Sequence, residues 1–166
     1  MRMERRKPNR LSAYDYSQEG AYFVTVCTKD KKCILSKVSV GDGVLDVPQV
    51  QLTRYGQAID KQIREINGVY SHIEISKYVI MPNHIHMIIF LSGQNGTSRT
   101  PSPTNATIPR LISSLKRFVN RSCETNIFQR SFHDHIIRNN EDYLRIWNYI
   151  DTNPATWEKD CFYIDN

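Results

Sequence analysis

The stretch HIEISKYVIMPNHIHMIIFL, residues 72–91, decides the fold. Its first part, HIEISKYVI over 72–80, alternates apolar and polar residues, the two-residue period of a strand. Met81-Pro82-Asn83 is a tight turn, built from residues that cannot continue a strand ladder. HIHMIIFL, 84–91, is then a second strand, antiparallel to the first. Apart from its histidines it is apolar on both faces, which places it inside a sheet rather than at an edge.

Working outward, AYFVTVCT over 21–28 is rich in β-branched and aromatic residues and is a further buried strand. A hairpin follows, from Lys37–Val40 through a Gly41-Asp42-Gly43 turn to Val44–Val47, ended by Pro48. Tyr55, Ile59, Ile63 and Ile66 recur at helical spacing, so 53–67 is an amphipathic helix that stops at Asn67-Gly68. On the other side, 92–107 (SGQNGTSRTPSPTNAT) holds a single charge and no large apolar residue, and is a flexible connection within one domain. Ile108, Leu111, Ile112, Leu115, Phe118 and Val119 share one helix face, and Arg110, Arg117 and Arg121 fall together on the opposite one. SFHDHII, 131–137, is a short strand. Asn139 or Asn140 caps a last helix, EDYLRIWNYIDTN, and Pro154 pushes Asn153 out of helical geometry. The order β, hairpin, α, β, β, α, β, α specifies an α+β domain with a mostly antiparallel sheet, one unit over 1–166.

Composition narrows the function classes. A chain of 166 residues is too short for a large barrel or a two-domain enzyme, and 40% hydrophobic with 23% charged residues is ordinary for a globular domain. The 22 Lys+Arg against 17 Asp+Glu give a net charge of +5, which suits an anionic partner such as nucleic acid. The longest apolar run, from Ile85 to Leu91, is too short to cross a bilayer, and no leader peptide is legible. Cys27, Cys33, Cys123 and Cys161 form no CxxC pair, so the reading is reduced thiols in a cytoplasmic protein. Arg5, Arg6 and Lys7 sit in a basic arm over 1–20, which is either a solvated terminus or a grip on phosphates. The ridge of Arg110, Arg117 and Arg121 is likewise a solvated face or a phosphate contact.

His84-Ile85-His86 is the sharpest chemical feature. Residues i and i+2 of a strand share a face, so the two imidazoles project together and form either a divalent-metal site or an unremarked histidine face. On the last helix, Tyr143, Ile146, Trp147 and Ile150 make the buried stripe, while Tyr149 lies on its flank. Asn153 is one turn further along the same edge, so a phenol and a carboxamide face one spot. A second pair, His133 and His135, lies on the short strand and either lines the sheet or touches DNA.

MPNHIHMIIF resembles the HUH motif (histidine, bulky apolar, histidine) of the single-tyrosine transposase superfamily. NYIDTNP resembles the tyrosine-bearing helix of its REP-associated tyrosine transposase branch. Together with YFVTVCTKDKKCIL and FHDHIIRNNEDYLRIWNYIDTNPATW, in the same order, the resemblance covers residues 21–160. It implies a ferredoxin-like antiparallel sheet with packed helices. It further implies that His84 and His86 bind Mg²⁺ or Mn²⁺, that Asn153 stands where relatives place a further polar ligand, and that Tyr149 is the nucleophile. The implied reaction cleaves and rejoins single-stranded DNA near palindromic hairpins through a 5′-phosphotyrosine intermediate. Insertion-sequence relatives are often dimers, whereas members of this branch can act as monomers. The alternative is a domesticated relative that binds single-stranded DNA hairpins without cutting. A replication-initiation or relaxase nuclease would share the chemistry but not the NYIDTNP block.

Overall fold

The structure is a computed structural model and describes residues 14–39, 47–93 and 106–164. A four-stranded sheet is built from β1 (Gly20–Cys27), β4 (Ile73–Ile80), β5 (His84–Leu91) and β6 (His133–Ile137), in the order β4-β5-β1-β6. Every neighbouring pair is antiparallel. β1 therefore runs parallel to β4 with β5 between them, and β5 parallel to β6 with β1 between them. Helix α1 (Arg54–Val69) joins β1 to β4 and α2 (Thr107–Ser122) joins β5 to β6. These are two interleaved split βαβ units, the ferredoxin-like arrangement. A third helix, α3 (Asn140–Thr152), follows β6 and continues into a 3₁₀ segment, Asn153–Lys159. Among the described residues no helix is long and apolar enough to cross a membrane.

Alternation along the strands sorts the core into two layers. Tyr22, Val24 and Val26 of β1 and Ile85, Met87 and Ile89 of β5 face α1 and α2, meeting Ile59, Ile63 and Ile66 of α1 and Ile108, Leu111, Ile112 and Leu115 of α2. Ala21, Ile88 and Ile137 face the other way, against Ile146 and Ile150 of α3. Burying one such aliphatic side chain is worth about 1.5–3 kcal/mol. β5 is buried on both faces because helices cover both, which is why its sequence is apolar apart from the two histidines.

Local details depart from the sequence reading in four places. The partner of β2 (Ser36–Ser39) is β3 (Gln49–Leu52), so the ribbon's second strand begins after Pro48 rather than ending at it; Ser36 pairs with Leu52 and Ser39 with Gln49. Proline cannot donate to a ladder and sits just outside the paired segment; the expected 41–43 turn lies outside the described residues, and Val47 is an exposed coil residue. Asn67 does not stop α1, which runs to Val69; its carboxamide instead receives Ile75 N–H at 2.8 Å and donates to Ile75 C=O at 3.0 Å, filling the ladder where β4 bulges. Asn153 keeps helical angles (φ −55°, ψ −42°) despite Pro154, because the chain continues as a 3₁₀ segment with proline in its first turn, where no N–H is needed. Phe118, expected in the apolar face of α2, is 43% exposed, with the Arg117 guanidinium 5.1 Å from its ring.

Both segments expected to be irregular contain residues held by the fold. Of the arm over 1–20, residues 1–13 lie outside the described residues, but Tyr16 is buried among core rings and Ser17 Oγ accepts Thr107 N–H at 3.0 Å, satisfying the start of α2. Of the 92–107 connection, 94–105 lie outside the described residues, Ala106 is buried and Thr107 already belongs to α2.

Candidate metal and tyrosine site

The site is assembled on the α3 face of the sheet. His84 and His86 occupy successive same-face positions of β5, with ring centroids 4.4 Å apart and almost no exposure. Several contacts set the position of α3 above them. Asn139 caps it by accepting Asp142 N–H at 2.8 Å. Asp142 in turn meets His135 Nε2 on β6 at 2.7 Å. Tyr143 packs on Phe90 of β5, and at the far end the Lys77 ammonium of β4 pairs with Asp151 and lies 4.7 Å from the Trp147 ring. So held, α3 hangs Tyr149 over the histidines: its ring is 5.1 Å from that of His86 and its hydroxyl 3.2 Å from His86 Nε2. Tyr149 is 36% exposed, whereas Tyr143 is partly buried within the apolar layer, the division the helical spacing predicts.

The hydrogen bonds fix much of the protonation. Asn83 Nδ2 donates to the Phe162 carbonyl at 2.8 Å, so its Oδ1 is the atom facing His84 Nδ1, also at 2.8 Å. An amide oxygen only accepts, so His84 Nδ1 carries the proton and Nε2 presents a lone pair. That Nε2 is buried and has no hydrogen-bond partner among the described residues. His86 is oriented from its other side by Thr25, whose Oγ1 lies 2.8 Å from Nδ1. Burial pushes both imidazoles down, His84 to about 4 and His86 to about 3, the latter also by its neighbour, so both are neutral at pH 7. Phe162 and Trp157 cover His84, with ring centroids at 4.7 and 5.8 Å.

A carboxylate that the sequence reading did not single out completes the cluster. Asp160 Oδ2 accepts from the Tyr149 hydroxyl at 2.8 Å and from Asn153 Nδ2 at 2.6 Å, while Oδ1 accepts Phe162 N–H at 2.7 Å. Burial pushes this carboxyl up, but the bonds from Phe162, Asn153 and Tyr149 outweigh it and hold it below its ordinary value, so it is ionised. Burial first, then the bond to this anion, raises Tyr149 above the ordinary phenol value. Donor atoms of His84, His86 and Asp160 all lie within 4.8 Å of one another.

Two neutral imidazoles, an ionised carboxylate and an unpartnered buried lone pair fit a divalent cation, and Asn83 and Thr25 fit the outer partners that orient ligating histidines. Asn153, expected as a ligand, is fully buried beside Asp160 and leaves its Oδ1 without a partner among the described residues.

The other expected residues lie elsewhere. Arg110, Arg117 and Arg121 are exposed on α2, in the layer across the sheet from the histidines. Arg5, Arg6 and Lys7 lie outside the described residues. His133 and His135 share the α3 face, opposite Thr25 and Phe23 of β1, but both are exposed.

This sheet order, with paired histidines on an inner strand and a tyrosine helix across them, defines an α+β protein of the fold seen in a REP-associated tyrosine transposase bound to a REP hairpin: the superposition has a TM-score of 0.61 over 89% of this chain and 74% of that one, at 23% identity. An uncharacterized protein of Haemophilus influenzae is 32% identical over 176 residues, spanning 96% of this chain and 94% of its own length, and the chain belongs to the same family as that protein. No established family profile matches the chain.

Proposed function

We propose that the protein is a metal-dependent single-tyrosine transposase, a DNA strand transferase that cleaves and rejoins single-stranded DNA near hairpins. The observation that carries this reading is the Tyr149 hydroxyl, 3.2 Å from a buried, neutral metal-type histidine on a rigid inner strand. The fold shared with a transposase bound to a REP hairpin supports a hairpin as the DNA partner.

His84 and His86 hold the metal, with a further donor from the segment after α3, where Asn153 and Asp160 lie. When bound, Mg²⁺ or Mn²⁺ supplies Lewis-acid polarisation of a phosphate oxygen and a positive charge beside the phenol. Tyr149 Oη gives up its proton and attacks phosphorus; the Tyr–O–P bond forms, the bond to the 3′ oxygen breaks, and the leaving strand takes up one proton as its 3′ hydroxyl, so the proton count is unchanged. The phosphotyrosine linkage conserves the bond, so rejoining needs no nucleotide cofactor. α3 positions the attacking oxygen through its anchors on β4, β5 and β6, the proximity contribution to catalysis. The arm residues Arg5, Arg6 and Lys7 and the α2 ridge bind phosphates, the ridge on the side of the sheet away from Tyr149.

The test is incubation of the chain with Mn²⁺ and a single-stranded oligonucleotide carrying a palindromic hairpin, followed by a denaturing gel. A covalent adduct is expected. Hairpin binding without adduct or cleavage would instead establish the non-cleaving binding protein.

A further inference from the structure

We propose that Asp160 is the third metal ligand beside His84 and His86, and that the Tyr149 hydroxyl occupies its ligating oxygen until the metal does. The inference rests on the metal-dependent reading above and assigns a residue and an order of events that the sequence motifs do not. Three observations carry it.

First, one hydroxyl stands on two of the three atoms a cation would use. Tyr149 Oη is 3.2 Å from His86 Nε2 and 2.8 Å from Asp160 Oδ2, while the third atom, His84 Nε2, is a buried lone pair without a partner among the described residues. The single phenolic proton goes to Asp160 Oδ2, so toward His86 the hydroxyl oxygen accepts Nε2–H; a cation held by Nε2 and Oδ2 displaces both bonds, so Tyr149 and the metal compete for His86 and Asp160. Second, Asn153 is turned to support Asp160. It is the amide nitrogen, which has no lone pair to give a metal, that meets Asp160 Oδ2 at 2.6 Å, and Phe162 N–H fixes the other carboxylate oxygen at 2.7 Å. This is how outer partners hold a ligating carboxylate. Third, the donor set makes chemical sense. A carboxylate suits Mg²⁺ or Mn²⁺ better than a neutral amide does, and a single carboxylate with two neutral imidazoles leaves the bound ion a net positive charge toward a phosphate. In this account the metal-free protein keeps its tyrosine tied down as a neutral phenol, and metal entry releases the hydroxyl.

The measurement is Mn²⁺ affinity by titration calorimetry on the full chain without DNA, with circular dichroism confirming the fold of each variant. Asp160→Asn removes a ligand and should weaken Mn²⁺ binding by about a hundredfold or more, beyond the roughly 10–100-fold that loss of an outer partner costs. Asn153→Ala should weaken it less than Asp160→Asn. Tyr149→Phe keeps the ring, removes the competitor and should bind Mn²⁺ about threefold to tenfold more tightly, the scale of one lost hydrogen bond. A folded Asp160→Asn chain with wild-type affinity, a larger loss in Asn153→Ala than in Asp160→Asn, or a Tyr149→Phe chain that binds no tighter would each overturn the inference. Since DNA is absent, the outcome is separable from the transposase reading: a chain that binds Mn²⁺ through Asp160 yet never cuts DNA defeats only the latter, and one that cuts DNA with Asp160 dispensable for metal defeats only the former.

Discussion

His84–His86 and His133–His135 are the same three-residue pattern on the same face of one sheet, yet they have opposite characters. The first pair lies on β5, an inner strand with helices on both faces, and both rings are buried and neutral. The second lies on β6, an edge strand, where both rings are exposed and His135 is spent on Asp142 in the first turn of α3. Burial removes water as a competitor for the lone pairs of the inner imidazoles and lowers their affinity for protons. The edge pair serves the inner one, because the His135–Asp142 contact helps set the helix that carries Tyr149. The pattern HxH therefore says little until its place in the sheet is known.

The largest expected difference between the pairs is in metal binding. His84→Ala with His86→Ala should abolish Mn²⁺ binding and DNA cleavage, whereas His133→Ala with His135→Ala should leave Mn²⁺ affinity within about fivefold, since an exposed side-chain contact is worth only about 0–1 kcal/mol. Equal loss in the two double variants, measured by calorimetry, would erase the distinction.

Acid should sharpen it. Both inner imidazoles have folded values, about 4 and about 3, well below the ordinary value of 6.5. The unfolded chain therefore binds protons that the folded chain refuses. Their contribution to stability is complete above about pH 6.5 and is lost as pH falls from there toward 3. The depressed Asp160 carboxyl acts with the same sign, at lower pH. In the presence of chelator, the thermal midpoint should fall between pH 7.5 and 5, and the fall should be smaller in the His84→Ala, His86→Ala variant. An identical decline in the two proteins would show that the buried pair does not carry the effect.

The smallest effect concerns the far side of the sheet. If Arg110, Arg117 and Arg121 each neutralise a phosphate, replacing all three with Ala should reduce the slope of log affinity against log salt for single-stranded DNA by about 2, from roughly 0.7 per phosphate. An unchanged slope would make the ridge a solvated face and confine DNA to the α3 side and the arm.

Much of this architecture is legible in the residues, and the failures have physical causes. β5 reads cleanly because burial on both faces leaves only apolar residues and the histidines, and the place of Tyr149 on the flank of α3 follows from helical spacing alone. The ribbon partner slipped because Pro48 reads as an end when it is the residue just before a strand. Tyr16 looked like part of a solvated arm because a single buried ring has no periodicity to announce it. Asp160 was missed for a similar reason. It lies beyond Pro154, past a 3₁₀ segment whose angles break at Thr156, and no regular spacing connects it to Tyr149 or to β5. The available signal is chemical rather than periodic: an acidic residue between Trp157 and the Phe162-Tyr163 pair of a basic chain, close in sequence to the helix bearing the tyrosine.

The claim that Tyr149 is the attacking group is tested most directly by covalent capture. Tyr149→Phe keeps the ring against His86 and Phe23 and should leave stability within about 0.5–1.5 kcal/mol, the net worth of a hydrogen bond. Tyr143→Phe serves as the matched control on the same helix. With Mn²⁺ and a hairpin-bearing single strand, the wild-type and Tyr143→Phe chains should both yield a denaturant-stable protein–DNA adduct, and Tyr149→Phe should yield none while still binding the DNA. An adduct of wild-type yield in Tyr149→Phe, with peptide mapping placing the DNA on another residue, would contradict the account.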